Sequence, residues 1–131
     1  MTVPRGRGET VLVVAGDADL RGLAAALLGA LGYRALEAGD APSALRVLTD
    51  AADVELLITD VVFAHPMTAG DLAREARALF PDLAVLYTSS DSDEAVRQME
   101  RLEDGAELIA RPCRTGDLAR RVRAVLDARK P

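Results

Sequence analysis

The stretch Leu56-Leu57-Ile58-Thr59-Asp60 decides how this chain is read. Four residues suited to a buried strand end in a carboxylate, and a loop from Val61 to Met67 follows at once. A short apolar run bounded by polar and turn residues reads as a strand buried on both faces, as in a parallel sheet. In such sheets, ligands and chemistry lie just outside the carboxyl ends of the strands. Asp60 stands at one of these ends.

Upstream of this strand, Thr10 to Ala15 is β-branched and apolar, a first strand. After a turn at Gly16 to Ala18, Leu20, Leu23, Ala24, Leu27 and Leu31 recur at helical spacing. Asp17 or Asp19 can cap that helix and Gly32 can stop it. Tyr33 to Ala38 is a second strand. Gly39-Asp40 turns the chain, Pro42 suits a first helical turn, and Ala41, Ala44, Leu45 and Leu48 form the next inner face. The third strand is Val54 to Asp60.

Downstream, a helix from about Thr68 to Phe80 carries Leu72, Ala76 and Leu79 on one face and ends at Pro81. Leu83 to Thr88 is a fourth strand. Ser92 caps a helix carrying Ala95, Val96, Met99 and Leu102, which Gly105 ends. Ala106 to Ala110 is a short fifth strand. Thr115 caps the last helix, whose inner face is Leu118, Val122, Val125 and Leu126.

Five alternating strand–helix units with right-handed connections imply an α/β fold. The expected architecture is a doubly wound, five-stranded parallel sheet in the order 2-1-3-4-5, with helices on both faces. One domain is expected from residue 10 to 131, preceded by a disordered lead-in, Met1 to Glu9, which holds Pro4, Gly6 and Gly8. Gly6-Arg7-Gly8 comes before the first strand, where a glycine loop cannot cradle a phosphate.

The 131 residues suffice for one sizeable core. Aromatics are only 3 % of the chain, so that core must be built from Ala, Leu and Val. A net charge of −5 argues against a generic binder of nucleic acid. Cys113 is the only cysteine, which excludes an intramolecular disulfide. No apolar run approaches the roughly 20 residues of a membrane span, and Met1 to Glu9 has no apolar core of a signal peptide. The expectation is a cytoplasmic protein without membrane association.

The carboxyl ends of strands one, three, four and five bring Ala15-Gly16-Asp17, Asp60, Thr88 and Arg111 together. A carboxylate, a hydroxyl and a fixed cation can surround a transferring phosphoryl group. The carboxylate is the nucleophile, and the other two stabilise the phosphoryl oxygens. A hard cation such as Mg²⁺ normally completes such a site, held by one or two carboxylates and water.

At these residues the chain resembles the receiver domains of two-component response regulators, with a flavour of those attached to hybrid sensor kinases. The resemblance runs through Val11-Leu12-Val13-Val14, Asp19-Leu20-Arg21, Gly32-Tyr33, Ala44-Leu45, Leu57-Ile58-Thr59-Asp60-Val61-Val62, Gly70-Asp71-Leu72-Ala73, Pro81 to Ser89, Arg111-Pro112 and Asp117-Leu118. It implies a (βα)5 flavodoxin-like receiver fold, with Asp60 as phosphoryl acceptor and Thr88 as the switch hydroxyl. Arg111 stands in place of the family's Lys, followed by a cis bond to Pro112. A sensor histidine kinase or another signalling protein is the implied partner.

The chain departs from that pattern where the metal binds. The family's acidic pair should follow Val14, where this chain has Ala15 and Gly16. Only Asp17 remains, one step further on, and successive side chains of an extended segment point opposite ways. A metal site made of Asp60 and Asp17 is therefore expected to hold Mg²⁺ weakly. Phe63-Ala64 replaces the family's Met-Pro, the loop to Gly70 is longer, and Leu108 or Ile109 stands at the aromatic switch position of the fifth strand. Arg is not an equivalent donor to Lys, and the Arg111 guanidinium could occupy the metal pocket and hold the domain in one state.

The leading expectation is thus a non-enzymatic receiver module acting through protein contacts, with Mg²⁺-dependent phosphorylation at Asp60 impaired or absent. The alternative is a competent phosphoryl acceptor that uses Asp17. A flavodoxin-like cofactor binder ranks below both, because no Ser/Thr-rich phosphate loop follows the first strand. His65 has no partners at ligand spacing and reads as a solvent-facing loop residue. Cys113 reads as a small packed residue, though Arg111 and Arg114 could lower its pKa. Arg97, Arg101, Glu107 and Arg120 mix signs on the fourth helix, fifth strand and fifth helix, a face suited to a homodimer.

Overall fold

In the computed structural model, residues 3–62, 67–90, 92–111 and 113–129 are described. The elements are β1 (Thr10–Val14), α1 (Ala18–Ala30), β2 (Arg34–Ala38), α2 (Ala41–Ala51), β3 (Val54–Asp60), α3 (Ala69–Leu79), β4 (Ala84–Ser89), α4 (Asp93–Met99), β5 (Glu107–Ala110) and α5 (Thr115–Asp127). All strand pairs are parallel and the order is β2-β1-β3-β4-β5, as the alternation of elements implied.

Strand side chains alternate between two cores. Val11, Val13, Leu56, Ile58 and Leu86 pack with Leu28 and Leu31 of the α1 end and with Leu118, Val122 and Leu126 of α5. Leu12, Val14, Leu57, Val85 and Tyr87 pack with Ala44 and Leu48 of α2, Leu72 and Ala76 of α3 and Ala95 of α4. With so few aromatics, alanines at the helix–sheet contacts let the layers approach closely. Among the described residues no helix is long and apolar enough to cross a membrane.

Local chemistry sets the helix ends. Asp17, Asp40, Thr68 and Ser92 each accept backbone N–H groups as N-caps, and Thr68 with Asp71 forms a reciprocal capping box. The chain leaves α2 through Ala52 in the left-handed region, at φ 59°. Phe80 is the C-cap of α3, and Pro81 stops it.

Four details differ from the sequence reading. In α1, Leu20 and Leu23 are exposed, whereas Leu28 is fully buried. This helix is apolar nearly all round, so two stripes, Leu20-Leu23-Leu27 and Ala24-Leu28-Leu31, fit the same period, and the second faces the sheet. Leu79, at the last turn of α3, is also exposed. Helix α4 ends at Met99 rather than near Gly105, and Leu102 lies in a turn after it. Thr115 is the first residue of α5, whose N-cap is Arg114 with no side-chain bond.

Residues 3–9, read from sequence as a disordered lead-in, are placed against the body of the domain. Gly6 N–H donates to the Leu31 carbonyl at 2.6 Å, and Gly8 N–H to that of Gly32 at 2.9 Å. Arg123 of α5 pairs with Glu9 at 2.7 Å and with Asp127 at 2.8 Å. Gly32 has φ 100°, and a Cβ there would sit 2.8 Å from the Gly6 carbonyl oxygen. Glycine at this corner is what admits the segment.

Candidate functional site at the carboxyl ends of the strands

Register places the site. Asp60 of β3 is the Cα partner of Thr88 on β4, which is the partner of Ile109 on β5. Asp60 and Thr88 therefore stand side by side at the sheet edge, and both lie on the α1/α5 side, in phase with Ile58 and Leu86. Val14, the last residue of β1, pairs with Thr59, so Ala15 just after β1 and Asp60 at the end of β3 lie at a common level. Val61 N–H donates to the Thr88 carbonyl at 2.9 Å, and Arg111 N–H to the Ser89 carbonyl at 2.7 Å. These bonds tie the three loops that carry the site.

Arg111 closes on Asp60. Its Nη2 lies 3.1 Å from Asp60 Oδ1 and 3.0 Å from Oδ2, so one nitrogen bridges both carboxylate oxygens. The side chains are 28 % and 14 % exposed, so the pair is partly shielded from water. Val62 N–H also donates to Oδ1, at 3.4 Å. Burial pushes the Asp60 pKa above the usual carboxylate range, and the Arg111 guanidinium and the Val61 and Val62 amides only partly offset it. Among the described residues, Arg111 Nε is buried without a hydrogen-bond partner.

The metal side of the site lacks acids. Ala15 is buried and carries no ligand atom, and Gly16 has no side chain. Asp17 caps α1: its Oδ1 accepts from Asp19 N–H at 2.9 Å and Leu20 N–H at 3.2 Å. Among the described residues no three His, Cys, Asp or Glu side chains gather as a metal site. The described residues at this end of the sheet do not fit a divalent cation.

A second cation was not singled out from the sequence. Arg21 of α1 folds back so that Nη1 donates to the Ala15 carbonyl at 2.7 Å, while Nε contacts Glu37 at 3.3 Å. Its position one helical turn after the Asp17 cap was the available signal. A guanidinium thus lies beside the loop where metal-binding acids would be needed.

The other candidates fall outside this cluster. Arg97 pairs with Glu94 at 2.6 Å and Arg120 with Asp117 at 2.7 Å, each within its own helix. Glu107 faces Arg121 at 3.7 Å. Arg101 lines a cleft of about 240 Å³ with Gly70, Arg74 and Arg77 of α3 and with Leu102 and Glu103. It is thereby turned toward α3. Cys113 is exposed, and its thiol pKa is raised by burial and by Asp117 more than Arg111 lowers it. The activation considered for it from its neighbours is not present. His65, Phe63-Ala64 and the bond to Pro112 lie outside the described residues.

No family model matches the chain. The phosphate regulon transcriptional regulatory protein PhoB of Pseudomonas aeruginosa is 31 % identical over 123 residues, covering 91 % of this chain and 52 % of that protein. The chain thus spans about half the length of this curated relative. The crystal structure of a response regulator receiver protein from Sinorhizobium medicae matches with a TM-score of 0.82 at 22 % identity, over 94 % of this chain and 98 % of that chain. NtrX from Brucella abortus matches with a TM-score of 0.79 at 27 % identity, over 92 % of this chain and 27 % of that chain.

Proposed function

We propose, from the fold shared with a response regulator receiver structure and the 31 % identity to PhoB, that the chain is a receiver module in which an arginine has taken over the role of the metal. Receiver domains are signalling modules rather than enzymes, and they work through histidine kinases and effector domains. Here the observation that carries the reading is the Arg111–Asp60 pair, with one guanidinium nitrogen on both carboxylate oxygens. A carboxylate must present a free oxygen to attack phosphorus. Asp60 instead has both oxygens engaged by the Arg111 guanidinium, which makes it the poorer nucleophile.

Phosphoryl transfer relies on cations to offset developing charge. Ala15, Gly16 and the capped Asp17 offer no carboxylate pair for Mg²⁺, so binding at Asp60 is weak. Thr88 stands beside Asp60 in register but has no phosphoryl group to meet unless Arg111 swings away. The module therefore acts mainly through protein contacts, with Mg²⁺-dependent phosphorylation impaired or absent. Its partner is a sensor histidine kinase or another cytoplasmic signalling protein, with no role for nucleic acid or membrane. We take residues 10–131 as the receiver unit. A homodimer would use α4, β5 and α5, where Val96 is exposed beside charges that are already internally paired.

The test is intact-protein mass spectrometry after incubation with Mg²⁺ and acetyl phosphate. This reading expects no stoichiometric phosphoryl adduct. A full adduct that disappears in Asp60→Asn would establish a competent acceptor instead.

A further inference from the structure

Residues 3–9 are tied to three elements at once. Arg5 Nη2 donates to the Ala30 carbonyl at the end of α1, at 2.9 Å. Arg34 N–H, at the start of β2, donates to the Glu9 carbonyl at 2.9 Å. On the other side, Arg123 of α5 donates to the Arg5 carbonyl at 3.4 Å and pairs with the Glu9 carboxylate. Val3 packs on the core beneath α1 and α5, and a Cβ at Gly116, in the first turn of α5, would lie 3.6 Å from Val3 Cγ1. The segment thus meets α5 both at its first turn and in its second half.

The hold is strong at one point and narrow elsewhere. Glu9–Arg123 is the most shielded ion pair among the described residues, each side chain being 14 % exposed, and shielded pairs hold better than exposed ones. Arg5 and Arg7 are exposed, Gly6 and Gly8 bring no side chains to the core, and Gly8 has φ 85° with open space beside it. Segments with few buried apolar contacts open before the domain does. The Asp60 site hangs from the same end of α5 that Val3 touches. Arg111 stands three positions before Arg114, the N-cap of α5, and Leu118 N–H donates to the Arg114 carbonyl at 3.1 Å. Whatever fixes this first turn also fixes the anchor of Arg111.

We propose that residues 3–9 are a strap that clamps the first turn of α5 and thereby keeps the Arg111 guanidinium on Asp60. With the strap seated, the site is closed. When the strap lifts, α5 loses Val3 and the Glu9 carboxylate, its first turn loosens, and Arg111 swings off Asp60. The proposal deepens the reading of Arg111 as the replacement for the metal, and rests on it.

The experiment compares ¹H–¹⁵N spectra of the natural chain, Gly6→Ala and Glu9→Gln at neutral pH. A Cβ at Gly6 would sit 2.6 Å from the Tyr33 ring, so the first variant lifts the strap without altering α5. The second removes only the charge that Arg123 holds. The Arg111 Nε–H is buried and gives a signal only while the guanidinium stays shielded from exchange with water. That signal is expected in the natural chain and should be lost in Gly6→Ala and weakened in Glu9→Gln. The amides of Leu118 and of Val62, which donates to Asp60, should shift with it, while those of Leu12 and Leu57 in the central strands stay in place. An Nε–H signal that survives in both variants overturns the proposal, as do equal shifts at Leu12 and Leu57, which would mark a general loosening. Should Gly6→Ala fail to fold, Glu9→Gln decides by the same signals. Neither Mg²⁺ nor a phosphodonor is present, so an adduct at Asp60 in the mass measurement would overturn the impaired-acceptor reading alone.

Discussion

Replacing Arg111 by Met keeps the apolar stem and removes the charge. A hydrogen bond to a charged group contributes roughly 1.5–3 kcal/mol, and breaking a fully buried ion pair costs roughly 3–5 kcal/mol. At 28 % and 14 % exposure, the Arg111–Asp60 pair belongs near the meeting point of these ranges, about 3 kcal/mol. Against this, the substitution relieves the unpartnered, buried Arg111 Nε, worth about 1 kcal/mol. The net loss is about 2 kcal/mol near pH 7, or a fall in Tm of roughly 8 °C for a domain of this size.

The loss depends on pH, and its sign follows from Asp60. Burial already holds the Asp60 pKa above its ordinary value with Arg111 present, and without the guanidinium it rises further. At a pH where the carboxylate is ionised in both proteins, the variant bears the whole penalty. As pH falls through the raised pKa, the variant takes up its proton first and the gap closes. Urea unfolding of both proteins between pH 4 and pH 7 measures this. Equal stability at pH 7, or a gap that stays constant as Asp60 protonates, would refute the reasoning.

Other outcomes follow from single contacts. Gly32→Ala combines a φ of 100° with a Cβ 2.8 Å from the Gly6 carbonyl, and should cost about 2 kcal/mol in urea unfolding. Ala52→Gly removes a left-handed alanine at the end of α2, and should raise stability by about 0.5–1 kcal/mol. Glu9 has its pKa lowered to about 2: burial acts upward but is outweighed by Arg123 and by the Arg7 amide. Its contribution is therefore present above the ordinary Glu range and lost as pH falls toward 2, so Glu9→Gln should destabilise at pH 7 and be neutral near pH 2 in thermal melts. Tyr87→Phe removes the hydroxyl that donates to Glu103 at 2.8 Å, and should lower Tm by an amount equivalent to about 1 kcal/mol, the value of one buried hydrogen bond.

Strand positions, the sheet order and the place of Asp60 were legible from the sequence because they rest on periodicity and punctuation. Leu56 to Ile58 cannot be exposed, Pro81 cannot extend a helix, and alternating units leave few topologies. The face of α1 was not legible. Leu20, Leu23, Leu27 and Leu28 satisfy the helical period in two ways, and only the sheet decides between them. Nor was the docking of residues 3–9, whose contacts with Leu31, Gly32 and Arg123 are distant in sequence and mostly backbone. At the site, the missing acids at Ala15 and Gly16 could be read directly, and Arg111 was recognised as a possible partner of Asp60. The return of Arg21 to the Ala15 carbonyl and the reach of Tyr87 to Glu103 depend on side-chain direction across elements, which residue spacing does not encode.

The central claim is that a guanidinium, and not a divalent cation, neutralises Asp60. It is tested most directly by titrating the protein with Mg²⁺ and following the amides of Ala15, Gly16, Val61 and Thr88. No saturating shift is expected at millimolar Mg²⁺. Saturable shifts at these amides that vanish in Asp60→Asn would contradict it.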